Sequence, residues 1–282
     1  MMNTSDDFPE RHCNIIEKLH HCLAQATNRL ERRSRPFITL TYAQSIDGCI
    51  APLGGGTLQL SNPESQQLTH RIRAMHDAIL VGVNTVLCDD PRLTVRLTPG
   101  DNPQPIVLDS RLRFPLDAKL LQDPCVKPII ATGQTSCDKK AAQLVAAGAR
   151  IIRVPLQNEG LVDLAQLLPR IKELGFHSIM VEGGAKVISN VLSSRIADQL
   201  LLTIAPRLVG GMRAVIPACV SSQMPRLLDV HYQSLGGDLV VWGQLESANG
   251  SLHPKFPQTR VPNPLPEQGL GANEVENIHD EH

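Results

Sequence analysis

The sequence predicts an α/β fold, a mostly parallel sheet with helices on both faces and an antiparallel hairpin at its C-terminal end. Three observations carry that expectation. Between about residues 77 and 193, short runs that are apolar at consecutive positions alternate with segments of helical periodicity, and strands apolar on both sides belong to sheets covered on both faces. The next three runs, DQLLLTIAP, RLLDVHYQSL and DLVVWGQL, follow one another with no helical segment between them. Gly236, Gly237 and Asp238 separate the last two as a hairpin signal.

Taken in order, Ile15, Ile16, Leu19, Cys22, Leu23, Ala26 and Leu30 fall at helical spacing within about Glu10 to Arg33. They predict an amphipathic helix packed outside the main domain or against a partner. Arg32, Arg33 and Arg35, just before Pro36, read as a solvated basic linker. PFITLTYAQS is a strand by its β-branched content, and SIDG is a turn. Further strands are expected at DAILVG, PIVLD, PIIAT, RIIRV and HSIMVEG. Helices are expected at Pro63 to Met75, Cys137 to Ala147, Leu161 to Leu174 and Ala185 to Ser193. Beyond Glu246 the chain turns proline-rich and ends NEVENIHDEH, so Ser247 to His282 reads as a disordered tail whose histidines are solvated. The expected organisation is a helical extension over 1–35, one domain over 36–246 and the tail.

Composition narrows the function. A net charge of −1 and an aromatic content of 3% leave neither a broad cationic surface nor stacking platforms for nucleic acid. The start MMNTSDDFPE lacks the cationic n-region of a signal peptide, and no apolar run approaches the ~20 residues of a membrane span. A soluble cytoplasmic protein is expected. Seven scattered cysteines without a C-x-x-C pair fit reduced thiols, read as small buried hydrophobes. Gly54, Gly55 and Gly56 are not followed by Lys-Ser/Thr, and no G-x-G-x-x-G opens a helix after a strand. The zinc deaminase signature is missing and no spacing suggests a metal, so none is expected.

Two stretches carry chemistry. TVLCDDPRLTVR sets two aspartates side by side, then Pro91 and two arginines; by itself it reads as an acidic turn. VEGGAKVISNVL is a strand end, a double glycine and a helix. Such glycines either let a dinucleotide pyrophosphate approach the helix N-terminus or make a tightly packed turn.

In order along the chain, TYAQSIDG, SNPES with THRIRAMHDAILVG, NTVLCDDPRLTVR, VLDSRLRFP, MVEGG and TIAPRLVGG together resemble the pyrimidine reductases of riboflavin biosynthesis. These are found as the C-terminal half of bacterial deaminase/reductases and as stand-alone fungal and archaeal enzymes. The resemblance covers about Pro36 to Glu246. It implies a dihydrofolate-reductase-like fold, NADPH as hydride donor, a phosphorylated pyrimidine substrate and a homodimer. Two other readings share the fold: a reductase acting on a pterin, and a nucleotide-binding homologue without turnover.

The resemblance also implies residue roles. Asp89 and Glu182 are the expected catalytic carboxylates. Cofactor contacts are implied for Ala43, Gln59, Thr85, Asp89 and Ser110 and for Gly184, Ala185, Lys186, Val187, Ile188, Ser189 and Asn190. Substrate contacts are implied for Thr57, Arg73, Leu93, Arg96 and Glu182, with Arg73 and Arg96 as the phosphate ligands. Gln59 stands where bacterial fused enzymes often carry Trp, which removes stacking area. Arg111 and Arg113 either pair with the cofactor 2′-phosphate or are solvated loop charges. Asp90 is left as a turn or cap residue. Thr41 replaces a Lys found in some bacterial members, which leaves the proton donor open.

Overall fold

The computed structural model describes residues 15–28, 33–54, 56, 58–157, 160–216 and 224–246. The expected tail from Ser247, and Thr57, lie outside the described residues. The elements run α1 (Ile15–Thr27), β1 (Phe37–Ser45), β2 (Cys49–Ala51), α2 (Pro63–Arg73), β3 (Ala78–Gly82) and α3 (Val83–Asp89). They continue with β4 (Gln104–Leu108), α4 (Lys119–Gln122), β5 (Ile129–Gly133), α5 (Asp138–Ala146), β6 (Arg150–Val154) and α6 (Leu164–Glu173). The last are β7 (Ser178–Glu182), α7 (Ala185–Ser193), β8 (Gln199–Ala205), β9 (Met212–Arg213), β10 (Leu227–Leu235) and β11 (Asp238–Leu245).

Nine strands form one sheet in the order β10-β11-β8-β1-β7-β3-β4-β5-β6. The six pairings from β8 to β6 are parallel, and β11 pairs antiparallel with both β8 and β10. This is the expected parallel sheet with a closing hairpin. β7 enters between β1 and β3, so chain order reverses at the centre of the sheet, where α/β sheets open a crevice beyond their strand ends.

Alternate residues of one strand go to separate cores, which is why those strands are apolar at every position. Ala78 and Leu80 of β3 and Ile106 of β4 pack with Leu167, Ile171, Ile188 and Val191 of α6 and α7. Ile79, Val81 and Val107 pack on the other face with Val86 of α3, Leu120 of α4 and Leu144 of α5.

A directional chain of buried hydrogen bonds joins the parallel part to the hairpin. His76, after α2, donates from Nδ1 to the Ile72 carbonyl at 2.8 Å, leaving Nε2 to accept the Thr39 hydroxyl at 2.7 Å. Thr39 in turn accepts from Gln199 Nε2 at 2.9 Å, and Gln199 Oε1 accepts the Trp242 indole N–H at 3.1 Å. Every member is satisfied, the condition for a buried polar network to stabilise rather than cost. Burial pulls the His76 pKa down to about 4, so the ring is neutral.

Three sequence expectations need correction. Arg33 and Arg35 are not a solvated linker: both grip the Asp198 carboxylate, at 2.6 and 2.8 Å, and Asp198, only 2% exposed, also accepts the Ile38 N–H at 2.8 Å. A carboxylate this deeply buried requires paired charge, and its sequence partners lie some 160 residues away. Helix α1 packs on the domain itself, burying Ile15, Leu19, Cys22, Leu23 and Ala26, with Gln244 of β11 against the Cys22 thiol. The cysteines are not uniformly buried, for Cys22 and Cys49 are while Cys88, Cys125 and Cys137 are exposed.

Candidate active site

A cavity of about 1070 Å³ opens beyond the C-terminal ends of β1, β3, β4 and β7. It exceeds the volume usual for a single drug-sized ligand. Its floor is set by strand register, which places Thr41 of β1 directly beside Glu182 of β7. Thr41 is 4% exposed, and its hydroxyl has no hydrogen-bond partner among the described residues.

Glu182 is oriented by Arg73, from the last turn of α2. The guanidinium donates from Nε to Oε1 at 2.6 Å and from Nη2 to Oε2 at 2.7 Å, a planar fork on a carboxylate. Its remaining nitrogen, Nη1, donates to the Thr94 carbonyl at 3.1 Å. Burial works against the Arg73 charge, but Glu182 outweighs it and the pKa moves up. One turn earlier, buried His70 accepts the Arg96 backbone N–H on Nδ1 at 3.0 Å, and the Arg96 guanidinium bonds the Thr94 hydroxyl at 2.8 Å. Burial, then the charges of Arg73 and Arg96, draw the His70 pKa down to about 4.

The side-by-side aspartates divide in role. Asp89 is the last residue of α3 and lies four residues after Thr85, so both fall on one face of the helix and both line the cavity. Asp90 is the C-cap, with φ 39° and ψ 57° in the left-handed region. Its N–H bonds the Val86 carbonyl at 3.0 Å, and its carboxylate accepts the Lys119 N–H at 2.9 Å, at the start of α4. The turn-or-cap assignment of Asp90 therefore matches its geometry, and Pro91 stops the helix.

The double glycine also divides. A Cβ on Gly183 would lie 2.7 Å from Val187 Cβ and 3.2 Å from the Ile188 N, so this glycine is required by close packing of α7 on β7. On Gly184 a Cβ would meet only the Thr85 hydroxyl, at 3.9 Å, and the φ of −72° suits any residue. Gly184 is the N-cap of α7 and no side chain caps the helix. Its missing side chain leaves the helix N-terminus open to the cavity, the arrangement that suits a phosphate. The packed-turn reading describes Gly183, while Gly184 leaves the space that the other reading requires.

Ala43, Gln59, Ser110, Arg111 and Arg113 line the cavity, as do Ala185, Lys186, Val187 and Asn190 of α7. Arg113 donates to Asn84 Oδ1 at 2.7 Å. Three expected contacts turn away. Ile188 and Leu93 are buried in the two cores, and the Ser189 hydroxyl accepts the Ile216 N–H at 2.9 Å. Residues the sequence did not single out also line the site: His70, Asn84 and Asp109, the last accepting the Phe114 N–H at 2.8 Å. Among the described residues no group of three or more His, Cys, Asp or Glu is placed to hold a metal ion.

The chain is similar to several known proteins. It is 33% identical over 213 residues to the riboflavin biosynthesis protein RibD of Aquifex aeolicus, a match spanning 74% of this chain and 58% of that one. It is 37% identical over 191 residues to the 2,5-diamino-6-ribosylamino-4(3H)-pyrimidinone 5′-phosphate reductase of Debaryomyces hansenii, covering 63% and 77% of the two chains. Among solved structures, the riboflavin biosynthesis reductase Rib7 of Saccharomyces cerevisiae superposes with a TM-score of 0.62 at 30% identity, over 79% of this chain and 99% of that one. The profile of the RibD C-terminal domain matches residues 36–241, from the start of β1 into β11, and the chain belongs to that family.

Proposed function

We propose that the protein reduces a ribosylamino-pyrimidine 5′-phosphate to its ribitylamino form, with NADPH as hydride donor, as a step of riboflavin biosynthesis. The observation that carries this reading is one cavity combining Asp89, the Glu182–Arg73 pair, Arg96 and the uncapped start of α7. The names of the Debaryomyces and Saccharomyces relatives point to the same step.

The cofactor site fits a dinucleotide phosphate. Gly184 and the N-terminus of α7 would receive the pyrophosphate, and Ser110 with Arg111 or Arg113 the adenosine 2′-phosphate. Bound nicotinamide supplies the hydride that reduces the sugar C1′ carbon. The chain's part is to bind, orient and manage protons. Arg96 takes the substrate phosphate, and Arg73, expected as a second phosphate ligand, instead has its guanidinium engaged by Glu182 and the Thr94 carbonyl. Glu182, held by Arg73, accepts hydrogen bonds from the substrate, and the buried Thr41 hydroxyl beside it offers a donor without the charge of an amine. Asp89 exchanges a proton with the ribosyl oxygen as the ring opens. We also read the protein as a cytoplasmic homodimer.

The test is NADPH oxidation with the 2,5-diamino pyrimidinone substrate and, separately, with its deaminated uracil counterpart. Turnover of either supports the reading and identifies the natural substrate, while turnover of neither overturns it. Equal catalytic efficiency with NADH would remove the assignment of Ser110, Arg111 and Arg113.

A further inference from the structure

The segment from Thr94 to Arg96 has no regular secondary structure, yet each of its residues is fixed by a side chain from elsewhere. The Thr94 carbonyl is held by Arg73 Nη1 at 3.1 Å, the Val95 N–H by Asn102 Oδ1 at 2.8 Å, and the Arg96 N–H by His70 Nδ1 at 3.0 Å. Leu93 anchors the segment at its start, buried and with φ at 55°. His70 and Arg73 stand one turn apart on α2, so a single helix edge grips the segment that presents Arg96 to the cavity.

From these contacts we infer that His70 is a positioning residue: by accepting the Arg96 backbone N–H on Nδ1, it sets where the Arg96 guanidinium meets the anionic end of the substrate. The inference rests on the proposed reading that Arg96 takes the substrate phosphate. The electrostatics agree with the geometry. A ring that accepts on Nδ1 must be neutral, with its proton on Nε2, and burial, reinforced by the Arg73 and Arg96 charges, keeps it so. A protonated His70 would add a third cation beside two arginines and surrender the bond to Arg96. The residue's value here is therefore as a constant acceptor rather than as a proton carrier.

Two substitutions of similar polarity separate this role from general packing. In His70→Asn the amide oxygen can stand close to Nδ1 and accept the Arg96 N–H, whereas in His70→Gln the amide is carried to the position of Nε2. We expect His70→Gln to raise KM for the phosphorylated substrate roughly tenfold, the scale of one lost hydrogen bond in a charged setting. Its kcat and its KM for NADPH should stay within about twofold. His70→Asn should recover most of the loss. The decisive measurement is the double-mutant cycle with Arg96→Ala, because a residue acting through Arg96 has nothing left to position once that guanidinium is gone. If His70→Gln costs the same in the Arg96→Ala background as in the wild-type chain, the inference is overturned. It is equally overturned if Asn and Gln behave alike. If Arg96→Ala alone leaves KM unchanged, the fault lies instead with the assignment of Arg96 to the phosphate. The 15N resonances of His70 report the ring tautomer independently of turnover, and a proton on Nδ1 at neutral pH would contradict the geometry directly.

Discussion

At the α2 end of the cavity the wall is made of side chains locked to one another, with Arg73 forked onto Glu182 and bonded to Thr94, and His70 bonded to Arg96. At the α7 end the cavity meets a helix start without a side-chain cap, beside a glycine with spare room. The two ends solve different problems. Charged side chains brought together must be fixed by partners or they relax toward one another, so the α2 end needs a cage. A helix N-terminus carries its donors and its dipole by construction, and it needs only that nothing stands in front of it. One end is organised by what is present and the other by what is left out.

The largest effect expected lies at Asp89, which lines the cavity that both ends enclose. Asp89→Asn keeps the size of the side chain but cannot exchange a proton, and turnover should fall by roughly 10²-fold or more. Asp90→Asn, one residue on, should spare turnover and cost at most about 1 kcal/mol of stability through its contact with Lys119. Turnover and melting temperature of both variants decide the matter, and a greater loss of turnover in Asp90→Asn would put the reacting carboxylate in the wrong place.

Arg73→Lys tests whether the cage depends on shape or on charge alone. An ammonium cannot reproduce the fork on Glu182 and the bond to Thr94 together, so we expect the substrate KM to rise roughly tenfold or more although the charge is retained. Wild-type KM in this variant would show that a point charge suffices.

The glycines test the α7 end. Gly183→Ala forces a Cβ against Val187 and should lower stability by about 1–3 kcal/mol, read as a drop in melting temperature. Gly184→Ala should leave the melting temperature nearly unchanged and raise the KM for NADPH severalfold, because the methyl group occupies the approach to the helix. An unchanged cofactor KM in Gly184→Ala would break the contrast between the two ends.

A further test is a pH dependence carried by one imidazole at the α2 end and one in the interior. His70 and His76 both have pKa values near 4 in the folded chain and would have about 6.5 when unfolded. Across that interval the unfolded chain binds more protons, so stability should fall as pH is lowered from about 6.5 to about 4 and level off below it for these two groups. Melting temperatures across this range check the sign, and a flat profile would mean that neither ring is held neutral.

Much of this molecule is legible in its sequence, and what is not has physical reasons. The doubly apolar runs gave away strands β3, β4 and β5, and Gly236-Gly237 marked the hairpin, because sheet burial and turn geometry act on adjacent residues. Helix α3 is not visible as a helix, for its seven residues turn only Val83 and Val86 into the core. The insertion of β7 between β1 and β3 leaves no local trace, nor does the pairing of Arg73 with Glu182 across 109 residues. Family motifs supplied Asp89, Glu182 and Arg96, but nothing near His70 distinguishes it from His76, six positions along the same chain. One serves the cavity and the other the interior, and only the folded chain separates them.

The buried relay from His76 through Thr39 and Gln199 ends on Trp242, the chain's single tryptophan. The indole is fully enclosed and its N–H is committed to Gln199. Intrinsic tryptophan fluorescence of this protein therefore has one source, seated where the hairpin meets the parallel strands. Rearrangement of the Gln199 amide, after substitution at Thr39 or acid at His76, should be visible as a change in this emission. The fold carries its own optical reporter for the seam between its two halves.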